Sequence, residues 1–454
     1  MKLIYKVNDR PPIGQMIVFA LQQLLAILAA TIAVPYIVGN GMSQSAALFG
    51  AGVGTIVYLL FTKFKSPVFL GSSFAFLPSL ATAFAGAATA SLGYLGLLIG
   101  AAFAALVYVI LAVVVKFAGV KWIDKIMPAV VIGPTVSIIG LSLAGNAVKD
   151  AVGANAGFTA YDGNYNAWVM NTSSWICLIC ALVTLLTVVL CAVFGKKMMK
   201  LIPFVIGIAA GYAVASIFTI IGGATGNDAL KIIDFSVFKS FDNWIPDFTF
   251  LKAFGAFGEL SGAYVGTIAV AYAPVAFVVF AEHLADHKNL SSIIGKDLLA
   301  EPGLARTLLG DGVGSFAGAL FGGCPNTTYG ESIGCVAITG NASVVTIFTA
   351  AICAILIAFF APFVAFVNSI PSCVMGGVCM ALYGFIAVSG LKMIQKVNLE
   401  DNKNLFVVSV ILIAGIGGLA VSFGQVTITS IACALILGIL TNVMLSGKKK
   451  DETK

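Results

Sequence analysis

The sequence predicts an all-α polytopic membrane protein with fourteen transmembrane segments. Of the 454 residues, 60% are hydrophobic and only 10% are charged, whereas soluble domains carry about 25% charged residues. A helix needs about 20 apolar residues to cross the hydrocarbon core of a bilayer, and polar breaks leave fourteen apolar runs in the chain. The basic residues are also unevenly distributed between the intervening loops. A water-soluble fold is therefore excluded.

The boundaries of the predicted spans are expected to be accurate to within several residues. The apolar run after Lys2, Lys6 and Arg10 is long and another span follows at once, so we interpret it as an uncleaved first helix and not as a signal peptide. The spans are 15–38, 46–62, 68–88, 93–115, 127–147, 173–194, 201–221, 258–285, 305–323, 327–340, 343–366, 371–390, 404–421 and 425–445.

The basic residues predict which side of the membrane the termini occupy. An even number of spans places both termini and every even-numbered loop on one side, and 21 of the 25 basic residues fall there. Lys and Arg concentrate in cytoplasmic loops, so both termini are predicted to be cytoplasmic in the cell membrane. The polar stretches 148–172 and 223–257 then become outward loops. The four basic residues on the outward side are Lys149, Lys231, Lys239 and Lys252.

Several classes of function are disfavoured by composition and motif content. The net charge of +6 is too small and too dispersed for a nucleic-acid binder. The sequence contains no nucleotide-binding Gly-rich loop with a Lys, which disfavours an ATP-driven pump. It also has no metal-ligand cluster, activated nucleophile or cofactor loop, so an enzyme is not predicted. The nine cysteines lie mostly in apolar runs and are interpreted as free buried thiols.

Spans three and ten contain segments that disfavour a continuous helix. Residues 71–78 read GSSFAFLP and residues 325–331 read PNTTYGE. Irregular backbone at membrane depth is tolerated only where it is buried in protein or lines a cavity. The two segments lie seven spans apart, which indicates two inverted seven-span repeats, and paired interruptions of this kind point to a transporter's midplane site. Ordinary small-residue helix packing is the alternative interpretation.

Acidic residues within apolar spans are candidate functional groups. A carboxylate in a membrane helix costs roughly 2.5–3.5 kcal/mol even on lenient scales, so Glu282 and Glu331 are expected to face a cavity or a partner. Asp286 lies one helical turn beyond Glu282, although it could instead close span eight at the cytoplasmic rim. His283 is a candidate proton relay because it adjoins Glu282. Asp311 is predicted to open span nine.

These motifs resemble the nucleobase-ascorbate transporter family, and specifically its bacterial uracil permease branch. The resemblance covers essentially the whole chain, and its most specific block is NTTYGESIG at 326–334. The other blocks are AEHL at 281–284, KDLL at 296–299, PGL at 302–304, GSSFAF at 71–76, and QQ at 22–23 with AATIAVP at 29–35.

The resemblance implies a fourteen-helix fold with a core and a gate domain. The core comprises spans 1–4 and 8–11, the gate spans 5–7 and 12–14, and each interrupted span has a short extended segment before a half-helix. A homodimer through the gate domains is also implied. The corresponding boundaries are 1–118 and 258–366 for the core, 119–222 and 367–447 for the gate, 223–257 for an extracellular loop and 448–454 for a cytoplasmic tail.

The resemblance also implies roles for individual residues. Glu282 and Glu331 match the two substrate-binding carboxylates. The remaining matches are Phe74 and Gly330, whose backbone N–H groups would face the base, and Tyr329 and Tyr383, which would be aromatic neighbours of the substrate.

Three departures from the family pattern keep the substrate open. Gln22-Gln23 replaces a Gln-His pair, Ser332 replaces an Asn, and Asp286 replaces a His one turn after Glu282. Asp286 and Asp311 resemble the purine-transporting branch, whereas that branch usually has Gln at the position of Glu331. Uracil is therefore preferred, and xanthine or another purine or pyrimidine nucleobase is the alternative.

The chemistry of uracil fits a pair of acids. The base presents two N–H donors and two carbonyl acceptors, and a protonated carboxyl can pair with an adjacent C=O and N–H together. Two acids in one low-dielectric pocket favour proton retention, which predicts uptake coupled to H+ with no other cofactor. Glu282 is the preferred proton carrier, with Asp286 as the possible substitute for the family His. An inorganic anion exchanger of the same architecture is the alternative from a different class.

Overall fold

The computed structural model describes residues 3–119, 122, 128–153, 156–160, 166–196, 198–239, 241, 244–423 and 426–446. In the first half of the chain, the helices are α1 (Ile13–Val38), α2 (Gln44–Phe61), α3 (Leu77–Ala85), α4 (Ala90–Ala118), α5 (Ala129–Ser142), α6 (Ala144–Val152), α7 (Thr172–Phe194), α8 (Met198–Leu201) and α9 (Pro203–Thr225). A 3-10 turn, Phe74–Phe76, leads directly into α3.

The second half contributes a similar set of helices. They are α10 (Thr249–Ala253), α11 (Gly262–Ile294), α12 (Leu304–Gly322), α13 (Gly330–Thr339), α14 (Val344–Ala358), α15 (Ala361–Ser369), α16 (Ser372–Ile394), α17 (Asn402–Ile416) and α18 (Ser430–Ser446). The strands are β1 (Leu70–Ser72), β2 (Gly157–Ala160), β3 (Asn166–Val169), β4 (Asn326–Thr328), β5 (Val421–Phe423) and β6 (Val426–Ile428). They pair antiparallel as β1 with β4, β2 with β3 and β5 with β6.

Long apolar helices confirm a multi-pass membrane architecture. Eight described helices are long and apolar enough to cross a bilayer when α5 and α6 are counted together as Ala129–Val152, and a ninth span results if the pair α14 and α15, bent by 81°, is counted as one. Predicted span nine coincides with α12, which has 19 residues. Spans three, ten, thirteen and fourteen coincide with shorter helices, because the chain breaks into a strand and half-helix in spans three and ten and into a hairpin between spans thirteen and fourteen. The exact count of fourteen stays a prediction.

Several predicted boundaries were wrong. We expected helix up to residue 421 and again from 425, but α17 ends at Ile416 and the β5–β6 hairpin separates it from α18. Gly417 and Gly418 follow the last helical residue, and Gly418 has a φ of +71°, a backbone conformation that favours glycine. The predicted outward loop 148–172 likewise contains the β2–β3 hairpin. A strictly all-α fold class is therefore incomplete.

Helix α11 is longer than predicted, since it continues to Ile294 and not 285. The polar residues that suggested an early end are satisfied inside the protein. His283 and His287 are 0% and 1% exposed, and both form hydrogen bonds to neighbouring groups. Asp311, expected to open span nine, lies instead in the middle of α12 and is fully buried.

Contacts divide the chain into two compact units. The first comprises Met1–Ser142, Pro246–Leu356 and Phe385–Lys454, and the second comprises Leu143–Ile245 and Ile357–Gly384. The core and gate boundaries expected from the family resemblance group the spans differently and stay predictions.

Helices α2 and α12 approach each other so closely that only glycine fits at the crossing. A Cβ atom on Gly50 would lie 2.3 Å from the carbonyl oxygen of Gly318, and one on Gly54 would lie 2.6 Å from that of Gly314. The Asn326 amide donates to the Gly50 carbonyl at 3.2 Å. The crossing therefore anchors β4 as well as the two helices.

Gly50→Ala should destabilise the protein. The atoms nearest to the new methyl group are backbone atoms of α12, which cannot turn aside, and overpacking of this kind costs about 1–3 kcal/mol. The measurement is the melting temperature in detergent. Gly14→Ala is the matched control, because a Cβ there meets nothing within 4 Å. Equal melting temperatures for the two variants would contradict the described crossing.

Candidate substrate site

The site is built where the two interrupted spans meet as extended backbone. Strands β1 and β4 pair antiparallel with Leu70 opposite Thr328 and Ser72 opposite Asn326. The ladder continues at both ends, since Ser73 N–H donates to the Pro325 carbonyl at 2.9 Å. At the other end, the Tyr329 N–H donates to the Phe69 carbonyl at 3.2 Å. The pairing of these two extended segments therefore satisfies their backbone groups.

Side chains fix this short sheet in place. The Tyr329 hydroxyl donates to the Ser72 carbonyl at 2.7 Å. Its ring lies against Gly71, where a Cβ atom would come within 2.5 Å of the ring. On the other side, Thr55 accepts from the Leu70 N–H at 2.9 Å and donates to the Leu70 carbonyl at 3.2 Å. Gly71 is thus required by the close approach of an aromatic ring.

A helical segment begins directly after each strand. The 3-10 turn that starts at Phe74 follows β1, and α13 starts at Gly330 after β4. Neither N-cap residue, Ser73 or Tyr329, makes a side-chain cap hydrogen bond. The first N–H groups of a helix have no partner within it, and the helix dipole is positive at this end. Both segments therefore favour hydrogen-bond acceptors beside the strands.

Three carboxylates belong to this region. Glu282 and Asp286 lie one turn apart on α11, and Glu331 lies in the first turn of α13. Helix α11 packs against β4, against α13 and against the 3-10 turn Phe74–Phe76. The Glu282 side chain is exposed. Asp286 and Glu331 are half-buried.

Asp286 is tied to the sheet by a residue that the sequence did not single out. The Thr328 hydroxyl donates to the Asp286 carboxylate at 2.7 Å. This contact connects α11 to β4 and places Asp286 beside the extended segment of span ten. Asp286 is therefore part of the site region and does not close the helix at a solvated rim.

The neighbouring face of α11 carries a fully buried polar network. His283 Nδ1 lies 2.7 Å from the Asp311 carboxylate, and His283 Nε2 lies 3.0 Å from the Thr307 hydroxyl. The His283 and His287 rings stack with centroids 4.0 Å apart. His287 Nε2 in turn lies 2.6 Å from the Tyr58 hydroxyl. These contacts join α11 to α12 and α2 and leave Glu282 and Asp286 on the remaining face.

A second network fixes the first turn of α13. The Gln23 amide donates to the Ser332 hydroxyl at 2.8 Å and to the Ser332 carbonyl at 3.2 Å. The Phe69 N–H donates to the same hydroxyl at 3.0 Å. Gln23 and Ser332 are 2% and 0% exposed. Two positions at which the sequence departs from the family pattern are thus direct partners.

The predicted site residues have different surroundings. Gly330 is exposed, and a Cβ there would meet nothing within 4 Å. Phe74 is half-buried at the start of its turn. Tyr329 is only 4% exposed and holds the strands through its hydroxyl. Tyr383 belongs to the second unit, where it is buried beside Cys379. Its predicted place next to the substrate stays a prediction.

No group of three or more His, Cys, Asp or Glu side chains that could hold a metal occurs within the described residues.

The sequence matches a family model over most of its length. The Xan_ur_permease model, described as a permease family, matches residues 14–423. The chain belongs to this family, the nucleobase-ascorbate transporters. It is a multi-pass membrane permease and not an enzyme.

Curated relatives cover nearly the full chain. The uracil permease of Bacillus caldolyticus is 39% identical over 453 residues, which cover 98% of this chain and 96% of the relative. The uracil permease of Bacillus subtilis (strain 168) is 38% identical over 454 residues, with the same coverage of each. The alignments thus include both interrupted spans and α11.

A solved structure shares the fold at low sequence identity. The transmembrane domain of the cyanobacterial bicarbonate transporter BicA aligns with a TM-score of 0.61 at 15% identity, covering 94% of this chain and 96% of that domain. At this identity the likeness concerns the fold alone.

Ser332→Ala should destabilise the protein by about 1–3 kcal/mol, because the buried N–H of Phe69 and the Gln23 amide lose their shared acceptor. The measurement is the melting temperature in detergent. Ser409→Ala is the matched control, because the Ser409 hydroxyl is exposed and donates only to a carbonyl of its own helix. An unchanged melting temperature for Ser332→Ala would contradict the role of this contact.

Proposed function

We propose that this permease takes up uracil together with a proton across the cell membrane. The observation that carries the proposal is the packing of α11, which bears Glu282, against β4 and against α13, which bears Glu331. The helical starts at Phe74 and Gly330 lie at the same place. This arrangement presents both kinds of group that a planar imide needs. The carboxyls pair with its N–H groups, and the backbone N–H groups of Phe74 and Gly330 receive its carbonyl oxygens.

The proton link follows from the crowding of acids. Three carboxylates close together repel one another when all are ionised, so at least one is expected to hold a proton when substrate is bound. A protonated carboxyl offers an O–H and a C=O that match an adjacent C=O and N–H of uracil. Glu282 is our first choice for the coupled proton because it is the accessible member of the group. Asp286 is the second.

His283 is assigned a positioning role in this scheme. It is fully enclosed and holds α11 against Asp311 and Thr307. The direct relay of protons considered from the sequence would need contact with the accessible acids, and its two ring nitrogens are already occupied. Its effect on coupling is therefore expected to be indirect.

Transport is proposed to proceed by alternating access, with movement of a core domain against a gate domain. Both termini are proposed to be cytoplasmic, which the distribution of basic residues supports. Tyr383 is proposed to approach the base from the gate side, and gate domains are proposed to form a homodimer. Membership of the family and the curated uracil permeases support the uptake of a nucleobase such as uracil.

Two alternative substrates are tested, one by competition with labelled uracil and one by direct uptake. Xanthine or another nucleobase is favoured by Asp286 and Asp311, and excess unlabelled xanthine would then displace labelled uracil as well as uracil does. An inorganic anion exchanger is favoured by the shared fold with the bicarbonate transporter. Uptake of labelled sulfate or bicarbonate by the purified protein in vesicles would support that class.

Glu331→Gln should weaken uracil binding about 10- to 100-fold, which corresponds to the roughly 1.5–3 kcal/mol of a hydrogen bond to a charged group. The amide keeps the size of the side chain but offers a single acceptor and cannot titrate. The measurement is equilibrium binding of labelled uracil. Glu400→Gln serves as the control, because Glu400 is exposed in a loop. Unchanged affinity in Glu331→Gln would remove this residue from the site.

Gly330→Ala should preserve folding but reduce uracil binding at least tenfold. A Cβ at this position meets no protein atom within 4 Å, so the methyl group would occupy space proposed for the base. The measurements are melting temperature and uracil affinity. Gly262→Ala is matched, since Gly262 is also the first residue of a helix and has equally open surroundings. Normal uracil affinity in Gly330→Ala would place the base elsewhere.

An imposed pH gradient should drive uracil uptake. In vesicles that contain the purified protein, acid outside should accelerate uptake and collapse of the gradient by a protonophore should abolish accumulation. A membrane potential of either sign, set with a potassium ionophore, controls for charge movement alone. Accumulation that is indifferent to the pH gradient would end the proton-coupled proposal while leaving uracil binding intact.

A further inference from the structure

Three cysteines of the second unit cluster at a cavity that the proposed transport function does not use. Cys177 and Cys180 lie one turn apart on α7, and Cys373 lies in the first turn of α16. The Cys373 thiol is within hydrogen-bonding reach of both other thiols. All nine cysteines of the chain are free. These three lie on two different helices, and the thiols of Cys177 and Cys180 both meet that of Cys373.

Close packing of α7 against α16 explains why the thiols meet. A Cβ atom on Gly377 would lie 2.4 Å from the carbonyl oxygen of Ala181. Gly377 is one turn after Cys373, and Ala181 is one turn after Cys177, so the same crossing brings the two cysteines together. Gly153 lies on the other side of Cys177. Because it has no side chain, it leaves room for the Cys177 sulfur, which would lie 2.8 Å from a Cβ atom on Gly153.

The cluster borders open space. A cavity of about 200 Å³ is lined by Cys177, Cys373, Ser173, Ser174, Gly153 and Lys231, among others. Cys177 is 8% exposed to solvent, and Cys373 is fully buried. Cys180 does not line the cavity. A reagent that enters the cavity would therefore meet Cys177 first, with Cys373 directly behind it.

The mouth of the cavity carries charge and lies near predicted outward segments. Lys231 is half-exposed and pairs with Asp228 at 2.7 Å, and this ammonium group lowers the pKa of the Asp228 carboxyl. Lys231 belongs to the predicted outward loop 223–257, and α7 begins at the end of the other one. On this orientation the cavity opens toward the side where disulfides form and persist.

We propose that this cavity is a thiol-modification site that takes a small organic disulfide and closes to a Cys177–Cys373 disulfide. The Cys177 sulfur attacks one sulfur of the reagent, which forms a mixed disulfide and releases one thiol. The Cys373 sulfur then attacks the Cys177 sulfur and releases the second thiol. The two protein thiols are oxidised, the reagent is reduced to two thiols, and the two thiol protons pass to the released molecules.

The test uses the purified full-length protein in detergent and dithiodipyridine as the small disulfide. Wild type should release two equivalents of thiopyridone rapidly, lose two hydrogen atoms in intact mass and yield a proteolytic fragment in which Cys177 is linked to Cys373. Cys373→Ser should release one equivalent and retain a stable mixed disulfide on Cys177. Cys177→Ser should lose the rapid reaction.

Two further variants separate this pair from the other thiols. Cys180→Ser should still close, because Cys180 lies outside the cavity lining, and Cys191→Ser should behave as wild type because Cys191 lies further along α7. Rapid reaction that survives in Cys177→Ser, or an adduct on wild type that never closes, would overturn the proposal. Closure through Cys180 would overturn the assignment of Cys373. None of these outcomes depends on uracil transport.

Discussion

Antiparallel pairing of β1 with β4 is the interaction on which the candidate site depends. Each strand interrupts a span that would otherwise be helical, and in a membrane every exposed N–H or C=O group must find a partner within the protein. The two strands satisfy one another along the pairs from Leu70 with Thr328 to Ser72 with Asn326. The same pairing fixes where both following helical segments begin. Loss of this ladder would therefore remove the site and its backbone donors together.

Helix α11 supplies the carboxylates and is held by a different set of contacts. Its buried face is fixed by the His283 contact with Asp311 and by the His287 contact with Tyr58. Its remaining face presents Glu282 and Asp286, and Thr328 connects that face to β4. Glu282 is thus exposed and Asp286 half-buried, while the histidines that hold the helix are enclosed. This separation would allow the charge at the site to change without loss of the packing behind it.

The sequence predicted those parts of the candidate site whose residue types are unusual in an uninterrupted apolar membrane helix. Gly, Pro and hydroxyl clusters do not belong in an uninterrupted membrane helix, and they identified both broken spans. Carboxylates are unusual in apolar runs, and for this reason Glu282 and Glu331 were predicted as site residues, an assignment that stays a prediction. Long-range partners leave no such signature, because Gln23 and Ser332 are 309 positions apart. The Thr328 contact with Asp286 was missed for the same reason.

Boundaries were predicted less well where apolar composition allows two structures. Residues 421–428 are rich in β-branched side chains, which suit a strand as well as a membrane helix, and the structure forms the β5–β6 hairpin there. The end of α11 was placed too early because His287 and Lys288 resemble a solvated helix end, whereas His287 is in fact buried. For the end of α11 the decisive contact is that of His287 with Tyr58, which lies 229 positions away and therefore outside any local window of the sequence.

The most direct test of this account is a structure of the protein with uracil bound. The account predicts the base beside the ends of β1 and β4, with carboxyl oxygens of Glu282 and Glu331 about 2.6–3.2 Å from its polar atoms and the backbone at Phe74 and Gly330 facing its carbonyl groups. Uracil bound at another place, or in this place without contact to either carboxyl group, would contradict it.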